Sequence, residues 1–296
     1  MSVSESAIDH KALLASAQSL GGLPATVSRL AVVVSDPEHT IPDIVDVVSF
    51  DASLTAALLR RANSAALGGR VQIRTVQSAA VFLGSSSLLS VALSTSVSSR
   101  LRQPIPGYGL AEGDLWRQSV AASLAAEVIS AGATVDIPAE AATAALLHDF
   151  GKVVLAQHFG PRIFDMITRA AAVENLGLLE AEAAVFGVNH ADIGGLVAQQ
   201  WKLPHSIVDA IIHHHDSTGH SGPLSAVVSL AHAMVPEVLA GIDAPEDDGG
   251  ASPPFRSPAQ THCDVLEDLG FVPWRYHELV TAAQERYRAL AERYAA

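Results

Sequence analysis

Apolar residues recur along this chain at the three- and four-residue spacing of amphipathic α-helices. Leu23, Val27, Leu30 and Val34 form the first clear example. Few segments alternate apolar and polar residues, which is the pattern of half-buried β-strands. Glycines and prolines interrupt the helical pattern at short intervals, and both residue types resist helix continuation. The pattern therefore predicts an all-α protein built from many helices.

Start and stop signals divide this pattern into individual helices. Thr40 and Thr75 are typical helix caps, and Asp51 or Ser53 starts the helix between them. Gly84 breaks the helix that Thr75 opens. Further predicted helices are Lys11–Leu20, 23–34, Ser85–Leu101, Trp116–Ile129, 138–149, Arg162–Glu174, Leu178–Phe186, His190–Trp201, Ser206–His215, Leu224–Leu239 and Trp274–Tyr294.

One uncharged stretch is long enough to raise the question of a membrane span. No charged residue occurs between Arg74 and Arg100, and about 20 apolar residues suffice to cross a bilayer. The stretch nevertheless contains nine serines, two threonines and Gly84. We therefore expect a packed pair of interior helices and no contact with a membrane.

A turn-rich segment, Pro104–Gly109, marks the predicted boundary between two lobes. We expect residues 1–105 to form the N-terminal lobe and residues 106–296 the C-terminal lobe. Prolines, glycines and acidic residues cluster over residues 243–260, which predicts a mobile loop. The helix after this loop packs either on its own lobe or on a second copy of the chain, so a homo-oligomer stays open.

Composition narrows the cellular context. The formal net charge is −13, and the chain has no long basic stripe, which argues against duplex nucleic acid as a partner. The single cysteine, Cys263, excludes an intrachain disulfide and suits a reducing compartment. Met1–Lys11 lacks the apolar stretch of a signal peptide. We therefore expect a soluble, cytoplasmic protein.

The richest chemistry lies at His148 and Asp149, which end an apolar helical run and precede Gly151 and Lys152. A neutral imidazole beside a carboxylate can bind a divalent metal ion. More histidines follow at position 190 and at positions 213–215. Consecutive helical residues point about 100° apart, so at most two of the last three histidines can reach one site.

Short motifs spread over most of the chain share an order and spacing that identify a family. They are Leu23-Pro24, Phe50–Thr55, Leu58–Ala65, Thr75–Ala79, Phe82–Gly84, Trp116, Ala144–Lys152, His190–Gly194, Trp201–Pro204 and Ile211–His215. Together they resemble the HDOD proteins, bacterial signalling relatives of the HD metal-dependent phosphohydrolases. The resemblance implies an all-α, two-lobed fold, with an N-terminal orthogonal helical bundle packed on a C-terminal HD-like helical bundle.

The resemblance also implies a metal site with an early histidine, the His-Asp pair and a distant aspartate. Here the early position is Gln118, and a neutral amide ligates divalent metals poorly beside imidazole. No aspartate occurs in Leu230–Val235, where the last ligand is expected, although His232 is a candidate substitute. Two of the four expected ligands are therefore absent or changed.

In two-metal relatives, histidines in the contexts of His190, His214 and His215 hold a second ion. The resemblance thus implies a centre for Mn, Fe, Mg or Zn with five candidate ligands, namely His148, Asp149, His190, His214 and His215. Three further residues are candidates for lining the cleft, namely Gln118, Lys152 and Trp116.

Because two of the expected ligands are absent or changed, we expect no metal cofactor, and a bound divalent ion stays an open alternative. His148 and Asp149 are then a relic of the fold, held together by hydrogen bonds, and Lys152 balances a helix C-terminus. Trp116 and Trp201 then pack in the core, because large aromatic side chains dominate buried area.

These observations lead to three functional hypotheses. The first is a non-catalytic regulatory protein that contacts a signalling partner protein or holds a small ligand in a degenerate HD cleft. The alternative is a divergent metal-dependent phosphohydrolase or phosphodiesterase using the five candidate ligands. The third is a sensor that binds a cyclic dinucleotide or another nucleotide without hydrolysis. The segment after His215 lacks the Gly-Tyr-Pro signature of cyclic-di-GMP phosphodiesterases, which argues against that activity.

Overall fold

The computed structural model of this chain describes residues 23–49, 51–65, 72–216, 220–243 and 260–295. Within these ranges every regular element is a helix and no strand forms, which confirms the predicted all-α fold class. The predicted helix Lys11–Leu20 and residues 244–259 of the predicted mobile loop lie outside the described residues.

Three of the five described helices before residue 104 begin at the polar residues that the sequence marks as caps, namely Thr40, Asp51 and Thr75. The backbone N–H of Leu54 donates to Oδ1 of Asp51 over 2.9 Å, and the backbone N–H of Ser78 donates to Oγ1 of Thr75 over 3.1 Å. These helices are α1 (Ala25–Ser35), α2 (Ile41–Val48), α3 (Ala52–Ala65), α4 (Val76–Leu83) and α5 (Ser85–Leu101).

Asn63 holds the end of α3 against the segment that leads into α4. Its Nδ2 donates to the carbonyl oxygens of Leu59 and Ile73, each over 2.8 Å, and its Oδ1 accepts from the backbone N–H of Ile73 over 2.8 Å. The asparagine therefore satisfies backbone groups on both sides of the corner, where they have no helical partner.

Gly84 separates α4 from α5, and the two helices are bent by 111° at this break. Its φ of 77° lies in the left-handed region, which glycine adopts without the steric cost of a Cβ. The uncharged stretch thus folds as a bent pair whose buried leucines lie in the core, as expected. By length and composition Pro223–Ile242 also qualifies as a span, but half of it is buried inside the protein, as in the core helix of a soluble fold.

The segment Ile105–Leu110, hereafter the joint, links α5 to the next helix through a short 3-10 turn, Pro106–Tyr108. The backbone N–H of Ile105 donates to the carbonyl oxygen of Leu110 over 2.8 Å, and that of Leu110 donates back over 3.2 Å. The joint is therefore a closed backbone bracket and not a loose linker. The lobe boundary at residue 105 stays a prediction.

Helices α6 and α13 pack against each other at the centre of the part that follows the joint. Helix α6 packs against α7, α13 and α15. The described helices that follow the joint are α6 (Asp114–Gly132), α7 (Ala141–Leu147), α8 (Phe150–Phe159), α9 (Ile163–Glu174), α10 (Leu178–Phe186), α11 (His190–Gln200), α12 (His205–Ile212), α13 (Pro223–Asp243), α14 (Gln260–Asp268) and α15 (Tyr276–Ala295).

Two sequence predictions in this part were wrong. The helix expected over Ser206–His215 ends at Ile212, so histidines 213–215 lie in a turn. Helix α14 was not predicted, because it follows directly on the segment interpreted as a loop. The predicted helices at 138–149 and Leu224–Leu239 instead span Ala141–Leu147 and Pro223–Asp243.

Candidate metal centre

His148 and Asp149 lie between α7 and α8, at the point where one helix ends and the other begins. Both side chains are buried, with exposed fractions of 1% and 2%. Nδ1 of His148 lies 2.6 Å from the carbonyl oxygen of Ala145. Because a carbonyl oxygen can only accept, Nδ1 carries the proton and Nε2 presents a lone pair toward the centre.

Gly151 lets α11 approach this pair closely. A Cβ at this position would overlap the carbonyl oxygen of His190, so only glycine allows the backbones of α8 and α11 to come so near each other. As a result, Nε2 of His190 lies 3.2 Å from Oδ1 of Asp149.

A second carboxylate, that of Glu182, contacts the backbone N–H of His190 and the Nδ1 side of its ring. Oε2 of Glu182 accepts from the backbone N–H of His190 over 2.7 Å and from its Nδ1 over 2.7 Å. Both side chains are fully buried, at 0% exposure. The carboxylate keeps the proton on Nδ1 and leaves Nε2 free to act as a ligand.

The turn after α12 brings two of the three consecutive histidines into the centre. Nδ1 of His214 donates to the carbonyl oxygen of Ile211 over 2.7 Å. Nε2 of His215 lies 2.9 Å from Nε2 of His190. His213 instead lies against Asp209, with 39% of its side chain exposed.

Helix α13 adds a fifth imidazole. Nδ1 of His232 lies 3.0 Å from Nε2 of His148, and the two ring centroids are 4.9 Å apart. His232 thus reaches the centre from Leu230–Val235, the segment that lacks the expected aspartate.

Asp149 is the hub of the cluster. Its Oδ2 lies 2.7 Å from Nζ of Lys152 and 3.3 Å from Nε2 of His148. Its Oδ1 lies 3.7 Å from Nε2 of His214. Oδ1 of Asp149 and Nε2 of His214 are both buried and have no hydrogen-bond partner. Since both atoms present lone pairs, two acceptors face each other without a proton between them, which is unfavourable in a buried site.

Burial controls the protonation of the imidazoles. It lowers the pKa of His214 to about 4, and burial together with His214 and His190 lowers the pKa of His215 to about 2. The pKa of His232 falls well below its usual value, mainly through burial and the nearby His148. These three rings are therefore neutral near pH 7, which is the form that binds metals.

Two groups in the cluster have their charge stabilised instead. Burial opposes ionisation of Asp149, but the neighbouring His148 and Lys152 side chains outweigh it and lower the pKa of Asp149 well below the ordinary range. Burial also lowers the pKa of His190, but contacts with the carboxylates of Asp149 and Glu182 outweigh it and raise that pKa. An ionised Asp149 is the ligand form of a carboxylate.

The ligand atoms form two groups that share the same two residues. Within each group the candidate ligand atoms all lie within 4.8 Å of one another. One group is His148, Asp149, His214 and His232, and the other is Asp149, His190, His214 and His215.

These residues fit a divalent cation, because a cation placed between the facing acceptors would satisfy both of them. Imidazole-rich sites suit Zn, Fe, Ni and Cu, whereas Mg prefers oxygen ligands. Bound here, such an ion would polarise a phosphate or lower the pKa of a coordinated water.

The structure brings all five sequence-predicted ligands together, and places the three cleft candidates differently. Lys152 is buried at the centre beside Asp149. Gln118 and Trp116 are half-buried on α6. The guanidinium group of Arg102 lies over the Trp116 ring, 4.9 Å from the ring centroid. Metal binding by the five predicted ligands stays a prediction.

Sequence reasoning missed Glu182 and weighed His232 only as a loose substitute. A signal for Glu182 was present: it falls on the apolar stripe of α10, next to Ala181 and one turn before Phe186, both fully buried. A carboxylate on such a stripe indicates a buried partner. Nothing in the local pattern marks Tyr108, which contacts Glu182 from 74 positions away.

Comparison with known proteins matches the HDOD domain model to residues 20–217. An uncharacterized protein of Treponema pallidum is 26% identical over 218 residues, covering 72% of this chain and 41% of that protein. The chain therefore spans well under half the length of this curated relative.

Solved structures share the fold. An HDOD domain protein of unknown function from Geobacter sulfurreducens has a TM-score of 0.66 at 22% identity, covering 95% of this chain and 97% of that one. A structure named as a proposed phosphohydrolase, from Shewanella amazonensis, has the same TM-score and identity, covering 94% and 97%. A proposed signal transduction protein from Marinobacter aquaeolei has a TM-score of 0.60 at 24% identity, covering 92% and 57%.

Proposed function

The chain belongs to the HDOD domain family, and from this premise we propose that it is a cytoplasmic signalling protein in which a bound divalent metal ion has a regulatory and not a catalytic role. The signal would pass to a partner protein through contacts that depend on the state of the metal centre. Mn, Fe, Mg and Zn are the candidate ions, and the imidazole-rich ligand set favours Fe or Zn.

One observation carries the metal-binding part of this proposal. Oδ1 of Asp149 and Nε2 of His214 face each other at 3.7 Å, both buried and both without a hydrogen-bond partner. A folded protein rarely leaves two buried acceptors opposed in this way. A cation between them would remove the conflict, and two further neutral imidazoles, those of His215 and His232, lie close by.

Two features favour regulation over catalysis. Gln118 stands where catalytic relatives carry a histidine on the early helix, and a neutral amide ligates divalent metals poorly beside imidazole. The ligands themselves are almost completely enclosed, since His148, Asp149 and His214 have exposed fractions of 1%, 2% and 0%. A substrate phosphate would have to reach an ion behind these side chains.

A divergent metal-dependent phosphohydrolase is the second candidate, and one feature favours it. Asp149 belongs to both ligand groups, and a carboxylate shared by two ions is suited to the two-metal clamp of phosphoryl hydrolysis. Lys152 beside this carboxylate would add positive charge for a phosphate.

Elemental analysis combined with hydrolysis assays separates these functions. The whole protein is loaded with Zn²⁺ or Mn²⁺, desalted, and tested on bis(4-nitrophenyl) phosphate and 4-nitrophenyl phosphate. The regulatory proposal expects stoichiometric metal that is lost in Asp149→Asn and retained in His205→Ala, an exposed histidine on α12, with no turnover. Metal-dependent turnover that disappears in His148→Ala would establish the hydrolase instead. Absence of bound metal after loading would refute both.

Nucleotide sensing is tested separately, because it does not require metal chemistry. Isothermal titration calorimetry with cyclic dinucleotides and guanosine nucleotides, with and without metal, measures whether the cleft holds such a ligand. Heat of binding would add a nucleotide to the regulatory proposal. A flat titration at high concentration removes these nucleotides from it and leaves the partner protein as the recipient of the signal.

A further inference from the structure

A chain of hydrogen bonds connects the candidate metal centre with the joint. The hydroxyl of Tyr108, in the joint, donates to Oε1 of Glu182 over 2.8 Å. Oε2 of the same carboxylate accepts from Nδ1 of His190 over 2.7 Å, and Nε2 of His190 faces Asp149. The path therefore crosses from the link between α5 and α6 to the hub of the centre through a single carboxylate.

The carboxylate of Glu182 is costly to bury and must be held for a reason. It is fully enclosed and accepts three hydrogen bonds, from Tyr108 and from two groups of His190. A buried carboxylate without hydrogen-bond partners is strongly unfavourable. In the part of the chain that the structure describes, the groups that donate to Glu182 all lie between the joint and the centre, so we place the role of Glu182 on this path.

The bond to Glu182 determines which nitrogen of His190 can act as a ligand. In the neutral ring that binds metals, the proton lies on Nδ1 and the lone pair of Nε2 faces the centre. Carboxylate partners of this kind fix the orientation of a metal-bound imidazole and raise its basicity, and losing one typically weakens metal binding by about 10- to 100-fold.

Tyr108 is itself held firmly in place by the joint. Its backbone N–H donates to the carbonyl oxygen of Ile105 over 2.9 Å, inside the bracket closed by Leu110. On the other side, Gly107 packs so tightly on Ile163 of α9 that a Cβ would overlap that side chain. The backbone at Tyr108 is therefore fixed, and a shift of Glu182 would act on the joint through the hydroxyl of Tyr108.

The joint also forms one wall of a cavity of about 440 Å³ between α5 and α8. Ile105, Pro106 and Gly107 line it together with Arg100 on α5 and Gln157 on α8. A displacement of the joint changes the shape of this cavity, at the border between the helices that precede the joint and those that follow it.

We propose that Glu182 and Tyr108 are positioning residues for His190 and that they couple metal occupancy of the centre to the conformation of the joint. This inference rests on the metal binding proposed above. An ion on Nε2 of His190 would strengthen the bond from Nδ1 to Glu182. It would thereby fix the Glu182 carboxylate, and with it the hydroxyl of Tyr108, in one position. By thermodynamic reciprocity, the position of the joint alters metal affinity in turn.

Hydrogen–deuterium exchange of the full chain, with and without Co²⁺, tests this coupling. The backbone N–H groups of Tyr108, Gly109 and Leu110 are hydrogen-bonded within the joint, so their exchange reports its opening. We expect Co²⁺ to slow exchange in the 105–110 peptide by about fivefold or more, the lower end of ordinary coupling between sites. Co²⁺ binding is followed in parallel by its visible absorption spectrum.

Two variants and a matched control make the test specific. Tyr108→Phe should still bind Co²⁺ but lose the metal-dependent slowing in the joint. Glu182→Gln, which offers one acceptor oxygen in place of two, should weaken Co²⁺ binding about 10- to 100-fold and change the Co²⁺ spectrum. Tyr276→Phe removes another Tyr–Glu hydrogen bond, to Glu237, and should change neither property.

The outcomes distinguish this inference from the proposed function. Co²⁺ binding without any slowing in the joint, or with equal slowing in Tyr108→Phe, overturns the coupling and leaves the metal-binding proposal standing. Absence of Co²⁺ binding to the wild-type chain overturns both. Circular dichroism checks that each variant folds, and if Glu182→Gln does not fold, Tyr108→Phe alone decides.

Discussion

Nζ of Lys152 lies 2.7 Å from Oδ2 of Asp149, while Oδ1 of the same carboxylate faces His214 with no hydrogen-bond partner. One oxygen of Asp149 is thus neutralised by a cation of the chain, and the other is open to a cation from solution. The first prediction follows from this arrangement, in which Lys152 and the proposed metal ion each bind one oxygen of Asp149.

Lys152→Met should destabilise the metal-free protein more than the metal-loaded protein. Removing one partner of a buried ion pair typically costs about 3–5 kcal/mol, and a divalent ion on Oδ1 supplies part of the charge that Asp149 has lost. Thermal unfolding with Zn²⁺ and with EDTA measures the difference. An equal loss in both conditions would show that no cation binds at this carboxylate.

Substitutions should sort the ligands into the two groups. His232 belongs only to the first group and His215 only to the second, whereas Asp149 belongs to both. If both groups bind an ion, His232→Gln and His215→Gln should each abolish one site, and Asp149→Asn should abolish both. Isothermal titration with Zn²⁺ gives the stoichiometry. Loss of all binding in His232→Gln would indicate a single shared site.

Gly151→Ala should disturb the centre without touching a ligand side chain. The added methyl group would overlap the carbonyl oxygen of His190, and overpacking of this kind costs about 1–3 kcal/mol. Because α11 must shift, His190 should move away from Asp149 and Co²⁺ affinity should fall. Gly222→Ala is the matched control, since a Cβ there meets nothing within 4 Å. Chemical denaturation and Co²⁺ titration measure the two effects.

The metal-free protein should lose stability as the pH falls from 7 to 5. The pKa of His214 is lowered to about 4 by burial, while the unfolded chain keeps a value near 6.5. The unfolded state therefore binds protons first, and His214 alone should cost about 2 kcal/mol over this range. His215 and His232, with lowered pKa values as well, act in the same direction.

The raised pKa of His190 acts in the opposite direction, since its contribution to stability is present at low pH and lost as the pH rises. One raised imidazole does not offset three lowered ones, so the net slope stays positive. Denaturant unfolding at several pH values in EDTA measures this slope. His214→Asn should flatten it, and His205→Asn, at the exposed start of α12, should not. An unchanged slope in His214→Asn contradicts the assignment.

Local signals in the sequence were sufficient to predict the bounds of some helices. The bounds of α5 and α10 were predicted to the residue. Gly84 lies directly before the first residue of α5, and Gly177 and Gly187 flank α10. The role of Asn63 in a tight corner was likewise predictable, since a short amide side chain competes for backbone groups.

The arrangement of the centre depends on contacts that local patterns do not encode. His214 and His215 reach the centre because α12 ends at Ile212 and the chain turns there, which the helical interpretation of that segment obscured. His232 meets His148 across 84 positions. Such pairings follow from how α7, α12 and α13 pack together, so the motif could name candidate ligands but could not group them.

Buried side chains from both sides of the joint belong to one continuous apolar core, in which Leu30 and Leu93 lie in the same cluster as Leu115 and Val227. A gene fragment ending at the joint would produce a chain with a bare apolar face and a strong tendency to aggregate. We therefore expect the two halves to be stable only when they are joined in one chain. Evolution can alter the ligands around Asp149, but it has little freedom to recombine either half with an unrelated protein.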